Sequence, residues 1–358
     1  MESASSRFEP WDEATLYHLS PKNEDLEMKT RFFSFIIPVV TFCASLSGQQ
    51  FETRDTAGMK QHKGNTHTHA GGSESDSPVP DIIQWYKNNG YQFLVITNHS
   101  TITFPPGLSA VTDSVFLLIP GEEIIGYGNQ DDLEINALNI HKAVPPRHDG
   151  TVPGALQKCI DAVRRQNGIP VINHPNFKWR LDRSVLWGAE NCRLFELVNG
   201  YPGAQNEGDE HHPGLEQVWD FLLTSGKRIY GIASDDAHVY RRFSPELSNP
   251  GRGWVVVWSK RLDAREIVQN LDSGLFYSST GVEIENLRIG PNRIEIAVKK
   301  MENAEVSTDF IGFGGRLLHT TKNNPAVYSL SAEDVYVRAK VFDADGHCAW
   351  IQPVFVVQ

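Results

Sequence analysis

The sequence predicts an α/β barrel followed by a smaller all-β domain. Between about residues 80 and 280, short apolar runs alternate with helical patterns, and strands that alternate with helices pair in parallel. A polar, metal-capable side chain follows the end of several of these runs, which is where α/β barrels carry their chemistry. After about residue 283 the pattern changes to short, partly alternating strands separated by turn residues, with no helical period.

The apolar runs of the predicted barrel lead to candidate site residues. The stretch DIIQWYKNNG reads as a helix that stops at Gly90, and YQFLVITNH then reads as a buried strand ending at His99. CRLFELVNG passes Glu196, which we expect to help hold the site. Three further runs, SVFLLIPGEE, GIPVINHP and RIYGIASDDAH, end respectively at Glu122 and Glu123, at His174, and at Asp235, Asp236 and His238.

The predicted domains are a hydrolase barrel over residues 49–283 and a β-sandwich-like domain over 284–358. Residues 28–48 have the features of a signal peptide: a basic start, an apolar stretch from Phe32 to Phe42 and a small-residue cleavage site. Residues 1–27 are then a non-native upstream extension, and the chain is exported to the periplasm or beyond, without a stable membrane span after cleavage. The alternative is that the apolar stretch forms a helix of the fold.

Composition restricts the class of protein. The 358 residues are 40% hydrophobic and 22% charged, which is typical of globular proteins. The formal net charge of −11 argues against nucleic-acid binding, since nucleic-acid-binding proteins usually carry a basic patch. Cys159, Cys192 and Cys348 are widely spaced and form neither a disulfide framework nor a zinc knuckle, so we expect buried thiols.

The stretch KGNTHTHAGGSESDSP, residues 63–78, contains a pair of histidines at alternate positions. Alternate residues of a strand face the same side, so His67 and His69 can point at one ion. Imidazole suits zinc, iron and manganese, and carboxylates add the negative charge that a site with several ions needs. One polynuclear metal site is the simplest explanation for this pair and the other candidates at strand ends, namely His99, Glu123, His174, Asp236 and His238.

The order of HTH, a Ser-acid pair, ITNH, PGEE, INHP and SDDAH resembles the PHP (polymerase and histidinol phosphatase) family of metal-dependent phosphoesterases. The resemblance covers roughly residues 60–285. WDFLLTSGKRIYGIASDDAH, PGRGW and the tail YVRAKVFDADGHCAWIQPVFV resemble a secreted branch related to CehA/McbA-type metallohydrolases, with a β domain after the barrel. The resemblance implies a distorted (β/α)7 TIM-like barrel with a trinuclear site.

The resemblance also implies a ligand set. His67, His69, Glu123 and Asp236 hold the first ion, Glu123 bridges to a second ion on His174, and a third ion lies on His99, His238 and an acid of the opening loop. Glu74 and Asp76 compete for that acid position, and either Glu134 or His141 supplies a further ligand. Asn98 stands where the family usually has Asp, and Asp235 is a candidate for proton transfer. The implied cofactors are two or three divalent ions, Zn, Mn or Fe.

The predicted activity is hydrolysis of a small-molecule phosphate ester, with Glu123 bridging the ions. Clustered divalent ions lower the pKa of a bridging water and give hydroxide near neutral pH. Arg180 and Arg241 are candidates for gripping the phosphate, because both follow ligand-bearing strands. A hydrolase of carboxyl or carbamate esters is the alternative within enzymes, and a secreted binding module with a degenerate barrel is the alternative from another class.

Overall fold

The computed structural model describes residues 50–103, 113–129, 131–299 and 305–357. The predicted upstream extension, 1–27, and the predicted signal peptide, 28–48, lie outside the described residues. In the part of the chain that is described, no helix has the length and apolar character needed to cross a membrane. The three cysteines of this part are free and buried, as predicted.

The described residues form strands joined by a few helices. The strands are β1 (Gln50–Phe51), β2 (Lys60–Asn65), β3 (Phe93–Ile96), β4 (Leu117–Gly128), β5 (Asp131–Leu138), β6 (Arg147–Asp149), β7 (Ile169–Ile172), β8 (Leu194–Asn199), β9 (Tyr230–Ser234), β10 (Trp254–Ser259), β11 (Phe276–Ser279), β12 (Ile284–Ile289), β13 (Arg293–Val298), β14 (Val306–Gly312), β15 (Arg316–Thr321), β16 (Ala326–Ser329), β17 (Tyr336–Asp343) and β18 (Cys348–Val357). The helices are α1 (Val79–Asn88), α2 (Val152–Arg164), α3 (Arg183–Gly188), α4 (Leu215–Thr224) and α5 (Ala264–Asp272), with 3-10 turns at Phe177–Trp179 and Phe313–Gly315.

Local sequence explains where the helices begin and what they bury. Thr151 caps α2 by accepting a hydrogen bond from the backbone of Gly154, and Asp263 caps α5 in the same way. Helix α1 confirms the helix predicted from DIIQWYKNNG, and it buries Ile82, Ile83 and Tyr86 on one face. The helices therefore pack an apolar stripe against the sheet, as amphipathic surface helices do.

The fold is mixed α/β, with a large sheet that is rich in parallel pairs. Its strand order is β15-β14-β17-β18-β11-β10-β2-β3-β4-β5-β7-β8-β9, and β2-β3, β3-β4, β7-β8 and β8-β9 are parallel. Strand β5 runs antiparallel to both β4 and β7. Only two residues separate β4 from β5 in the sequence, and a parallel pair would need a much longer connection. The predicted (β/α)7 barrel is not found as a closed ladder of strands among the described residues, whereas the α/β class is confirmed.

Side chains from two other strands bond to the free edge of β9. The amide of Gln352, on β18, donates to the carbonyl of Gly231 at 2.9 Å and accepts from its N–H at 2.9 Å. Ser278, on β11, donates to the same carbonyl at 2.7 Å and accepts from the N–H of Ala233 at 3.0 Å. These contacts form a side-chain seam between β9 and the pair β11-β18, and they satisfy buried backbone groups that would otherwise lack partners.

Strands predominate after residue 283, in agreement with the change of sequence pattern described there. Strands β12, β13 and β16 form a separate three-stranded sheet, while β14, β15, β17 and β18 extend the large sheet through the pairing of β18 with β11. Arg338, on β17, is buried and makes a two-point contact with Asp220, on α4, at 2.7 and 2.6 Å. The strands of this segment are thus bound to elements of the preceding α/β region.

Candidate metal centre

The structure brings most of the predicted ligands together where strands end. His67 and His69 follow β2, and Asp236 and His238 follow β9, while His99 follows β3 and forms an isolated parallel bridge with Glu123. A second isolated bridge joins Thr68 to Ala237, so the chain beyond β2 meets the chain beyond β9. We call the set of converging residues the metal-capable cluster; it contains His67, His69, Glu74, His99, Glu123, Glu134, His174, Asp236 and His238.

The centre of the cluster is made of four side chains whose ligand atoms lie at similar distances from the two histidine nitrogens. Nε2 of His67 lies 3.3 Å from Nε2 of His69, and each of these nitrogens lies 3.2 Å from Oδ1 of Asp236. The carboxylate of Glu123 is 3.3 Å from the first nitrogen and 3.2 Å from the second. Tetrahedral zinc with Zn–N bonds of about 2.0–2.1 Å needs ligand atoms about 3.3–3.4 Å apart, so these donors fit a divalent ion.

Hydrogen bonds on the far side of the His67, His99 and His238 imidazoles fix which nitrogen faces the cluster. Nδ1 of His67 lies 2.7 Å from Glu196, and Nδ1 of His99 lies 2.7 Å from the Glu74 carboxylate. Nδ1 of His238 lies 2.7 Å from the backbone carbonyl of Glu74. Carboxylates and carbonyls only accept, so each of these Nδ1 atoms carries a proton, and Nε2 is the nitrogen that is available to a cation.

Glu74, and not Asp76, is the acid of the opening loop that contacts the cluster. Besides its bond to His99, its carboxylate lies 3.2 Å from Nδ1 of His69, so it holds two imidazoles by their outer nitrogens. The hydrogen bond from His69, with the contribution of His99, lowers the pKa of Glu74 to about 2. The Asp76 carboxylate instead accepts from the backbone N–H groups of Tyr240 and Arg241 and from the Ser77 hydroxyl.

The positions of Glu134 and His141 distinguish these two alternative ligands. The Glu134 carboxylate lies 3.5 Å from Nε2 of His174 and 3.8 Å from Nε2 of His99. His174 also lies 3.5 Å from Glu123. His141 is exposed and lines a different pocket, beside Arg164 and Asp272. Glu134 is therefore the one of the two that the fold places at the cluster.

Two polar neighbours of the predicted ligands have their hydrogen bonds elsewhere. The buried Asp235 carboxylate accepts from the Tyr86 hydroxyl at 2.9 Å and from the N–H groups of Arg252 and Gly253, so it ties α1 to the segment that precedes β10. Asn98 accepts from the N–H of Ala70 and donates to its carbonyl, both at 2.8 Å. An ionised aspartate at position 98 could not donate the second bond.

Asparagines that the sequence reasoning missed contact the carboxylates. Asn173 donates to Glu123 at 2.6 Å, and Asn199 donates to Asp236 at 3.1 Å and to Glu196 at 2.8 Å. Their signal in the sequence is position alone: Asn173 precedes the predicted ligand in INHP, and Asn199 ends the strand in FELVNG. Each fixes one carboxylate oxygen; at Asp236 the other oxygen is the one that faces the imidazoles of His67 and His69.

The buried charges of the cluster are strongly interdependent. Burial alone lowers the pKa of His69, but hydrogen bonds to Asp236 and Glu123 outweigh it and raise the pKa to about 10. Burial also lowers the pKa of His174, but the hydrogen bond to Glu123 outweighs burial, and the pKa rises to about 9. Burial raises the pKa of Glu123, but the neighbouring histidines more than offset this effect. The pKa of Glu123 therefore falls well below its usual range. Buried carboxylates need compensating positive charge, which protons or metal cations can supply.

Backbone conformation at the strand ends is unusual. Asp236 has a φ of +49°, His174 has a φ of +22°, and Ser100, which follows His99, has a φ of +51°. Positive φ in residues other than glycine costs on the order of 1–3 kcal/mol and persists where the surrounding structure imposes it. Three such residues at one cluster indicate that the fold holds these side chains in place against local preference.

The candidate phosphate-binding arginines are divided. Arg180 is largely buried, forms an ion pair with Asp132 on β5, and lies over the Phe177 ring that packs on His174. Arg241 is exposed, and its backbone N–H donates to Asp76. Arg180 is therefore the arginine with a defined position beside the cluster.

Comparisons with known proteins found no matching family model and no matching curated protein. Several solved structures are similar to the chain, including the following three. A two-domain protein from Bacteroides vulgatus, containing a predicted PHP-like metal-dependent phosphoesterase, is 13% identical over 81% of this chain and 93% of its own, with a TM-score of 0.44. A protein from Bifidobacterium adolescentis assigned as a metal-dependent phosphoesterase is 11% identical over 49% of this chain and 87% of its own, with a TM-score of 0.36.

The third similar structure is a lesion-specific endonuclease, PfuEndoQ, from Pyrococcus furiosus. It is 11% identical over 60% of this chain and 56% of its own, with a TM-score of 0.37. These similarities are too distant to support conclusions about the site or the reaction. The fold and the cluster by themselves define a mixed α/β protein with a buried group of histidines and carboxylates suited to divalent cations.

Proposed function

We propose that the chain is a metal-dependent hydrolase that cleaves a phosphate ester of a small molecule. The observation that carries the proposal is the arrangement of the imidazoles, whose Nδ1 atoms are held by acceptors while their Nε2 atoms converge on the carboxylates of Glu123 and Asp236. Such held histidines are characteristic of metal ligands, because the outer acceptor fixes both the tautomer and the ring orientation. The resemblance to the PHP family, carried by the sequence motifs, gives the reaction type.

The donor positions support two or three ions. His67, His69, Glu123 and Asp236 would hold the first, and Glu123 would share its carboxylate with a second ion on His174 and Glu134. His99 and His238 would hold a third. Mixed imidazole and carboxylate donors suit Zn, Mn and Fe alike.

Divalent cations at these positions would supply positive charge to the phosphate oxygens and increase the acidity of water. The protein itself would orient the ester. The side chains of His67 and His69 have no solvent exposure, whereas those of His99 and His238 are 33% and 28% exposed, so the ester approaches from the side of the latter pair. Arg180, held by Asp132, can donate to a phosphate oxygen through N–H groups that the ion pair leaves free.

The test combines metal analysis with substrate comparison on the purified protein. We expect more than one bound divalent ion per chain and metal-stimulated hydrolysis of p-nitrophenyl phosphate or bis-p-nitrophenyl phosphate. His69→Ala should abolish both, while His211→Ala, at a histidine with an exposed side chain, should change neither. Hydrolysis of p-nitrophenyl acetate alone would establish the carboxyl-ester alternative, and fewer than one ion per chain with no activity on adding Mn or Zn would favour a binding module.

The choice of a small-molecule substrate over nucleic acid rests on the net charge of −11, since phosphate backbones repel an acidic protein. Competition by single-stranded DNA in the phosphoesterase assay tests it, and no inhibition is expected. The proposed export rests on residues 28–48 alone. Mass spectrometry of the protein recovered from the periplasm or medium should show an N-terminus close to residue 49.

A further inference from the structure

A pocket of about 390 Å³ has in its lining a residue that is close in the chain to the metal-capable cluster. It includes Asn176, which follows the predicted ligand His174 by two residues, and two residues of chain span at most about 7 Å. The opposite wall comes from His212 and Pro213, in the segment between β8 and α4. Both walls therefore belong to segments that leave the sheet on the side where the strands carry the cluster.

The two walls are fastened to each other by one buried side chain. Asn176 donates to the carbonyls of Gln205 and Pro213, at 3.0 Å each, so the segment after β7 is tied to the segment after β8. Asp209 supports the same wall, since its carboxylate accepts from the N–H groups of His211 and His212 at 2.8 Å and lies 2.9 Å from Nδ1 of His212. These bonds hold both walls of the pocket in fixed positions.

Trp179 is held in the pocket wall at a conformational cost. Its φ is +58° and that of Lys178 is +54°, and positive φ is a rare outlier for a bulky residue. The indole stacks on the His212 ring at a centroid distance of 4.0 Å and an interplanar angle of 7°. Nothing in the local sequence favours these positive φ values, so the surrounding structure imposes them. Strain of this kind clusters at sites where a side chain is positioned for function.

The lining chemistry is mostly apolar. Trp179, Leu181, Pro213 and Val218 supply apolar side chains, and the polar lining residues are Asn176, Asp182, Arg183, Ser184 and His212. Small-molecule sites are typically about 300–1,000 Å³, apolar, and fitted with few polar groups. The volume suits a group of modest size, and the metal-capable cluster is where the ester bond would be cleaved.

We propose that this pocket binds the alcohol portion of the substrate, and that this portion is an apolar group. The inference rests on the proposed function and adds to it the substrate class: phosphate esters of apolar alcohols, in preference to esters of polar alcohols such as sugars or nucleosides. Trp179 is the residue that sets this preference, acting through contact with the alcohol portion.

The test compares n-hexyl phosphate with methyl phosphate, because their leaving groups differ little in pKa and greatly in apolar surface. Each buried methylene is worth about fourfold in binding, so we expect the wild-type protein to prefer the hexyl ester by at least about tenfold in kcat/KM. Trp179→Gly should remove most of that preference by lowering kcat/KM for the hexyl ester far more than kcat/KM for methyl phosphate, and the backbone can keep its course because glycine accepts the positive φ without strain. Trp187→Ala, at an exposed tryptophan of α3, is the matched control.

A second variant and a binding measurement keep the outcomes distinct. Ser184→Trp should fill the pocket and lower kcat/KM for the hexyl ester selectively. If neither ester is hydrolysed, n-hexanol binding to the metal-free protein is followed by the NMR signal of the Trp179 indole N–H. A shift of that signal, absent in Ser184→Trp, supports the pocket although the proposed function fails. Equal kcat/KM for both esters, a preference that survives Trp179→Gly, or no shift with hexanol when neither ester is hydrolysed overturns the inference.

Discussion

Replacing Glu196 by Gln is expected to weaken metal binding although Glu196 is not among the proposed ligands. Its buried carboxylate accepts four hydrogen bonds of 2.6–2.8 Å, from His67 Nδ1, Ser234, the backbone N–H of His174 and Asn199. Four acceptor positions are what an ionised carboxylate offers. A glutamine keeps one accepting oxygen and replaces the other with a donor.

The position of the new amide follows from which neighbours can adapt. The backbone N–H of His174 can only donate, so the glutamine oxygen must stay on that side. The amide nitrogen then faces His67 and Ser234. The Ser234 hydroxyl can rotate, but His67 can accept at Nδ1 only by moving its proton to Nε2, the atom that points at the cluster. The substitution therefore converts a metal-binding nitrogen into a donor.

Loss of such an outer partner typically costs about 10–100-fold in metal affinity, which corresponds to about 1.4–2.8 kcal/mol. The measurement is a titration of metal-free protein with Zn²⁺ in competition with a chromophoric chelator, with circular dichroism to establish that the variant is folded. Glu210→Gln, at a highly exposed glutamate, is the control and should bind as the wild type does. An unchanged zinc affinity in folded Glu196→Gln would refute the reasoning.

The remaining predictions concern other acids and one buried ion pair. Glu74→Ala should lower zinc affinity about 10–100-fold because His69 and His99 lose their outer acceptor, whereas Asp76→Ala should leave the metal content unchanged. Burial raises the pKa of Glu122 from 4.5 to about 7; since the folded-state pKa is the higher one, stability falls as pH rises from 4.5 through 7. In metal-free protein, Glu122→Gln should gain roughly 3 kcal/mol on wild type over this interval, and parallel curves in urea unfolding would contradict this. Arg338→Met leaves Asp220 without its partner and should cost about 3–5 kcal/mol in urea unfolding; a cost restored in part by Asp220→Asn would confirm the cause.

The positions of the proposed ligands could be predicted because strand ends have a sequence signature. Apolar runs that stop at histidine or a carboxylate identify His99, His174 and Asp236 without any structure. The choice between Glu74 and Asp76 could not be made in the same way. Both lie in one short loop, and only the folded backbone shows that one carboxylate meets His69 while the other bonds to backbone N–H groups.

The α/β class of the fold could be predicted from the sequence. Whether its strands close into a barrel could not. Alternating strands and helices give the α/β class, but the hairpin of β4 and β5 introduces antiparallel pairs that the pattern around Gly128 did not predict. Whether strands close into a barrel depends on their tilt and stagger, which a hydrophobic pattern does not encode. The bonds of Gln352 to Gly231 join residues far apart in the sequence and have no local signal.

A cation bound by the cluster would add a second link to β9 beside the side-chain seam. His67 and His69 lie on one side of the gap in the strand ladder, and Asp236 and His238 lie on the other, joined by the isolated bridge of Thr68 and Ala237. An ion held by both groups is a crosslink between distant segments, and such a crosslink removes chain entropy from the unfolded state. Slow hydrogen exchange at the β9 amides should therefore depend on metal, with the Gly231 amide reporting the opening of the seam.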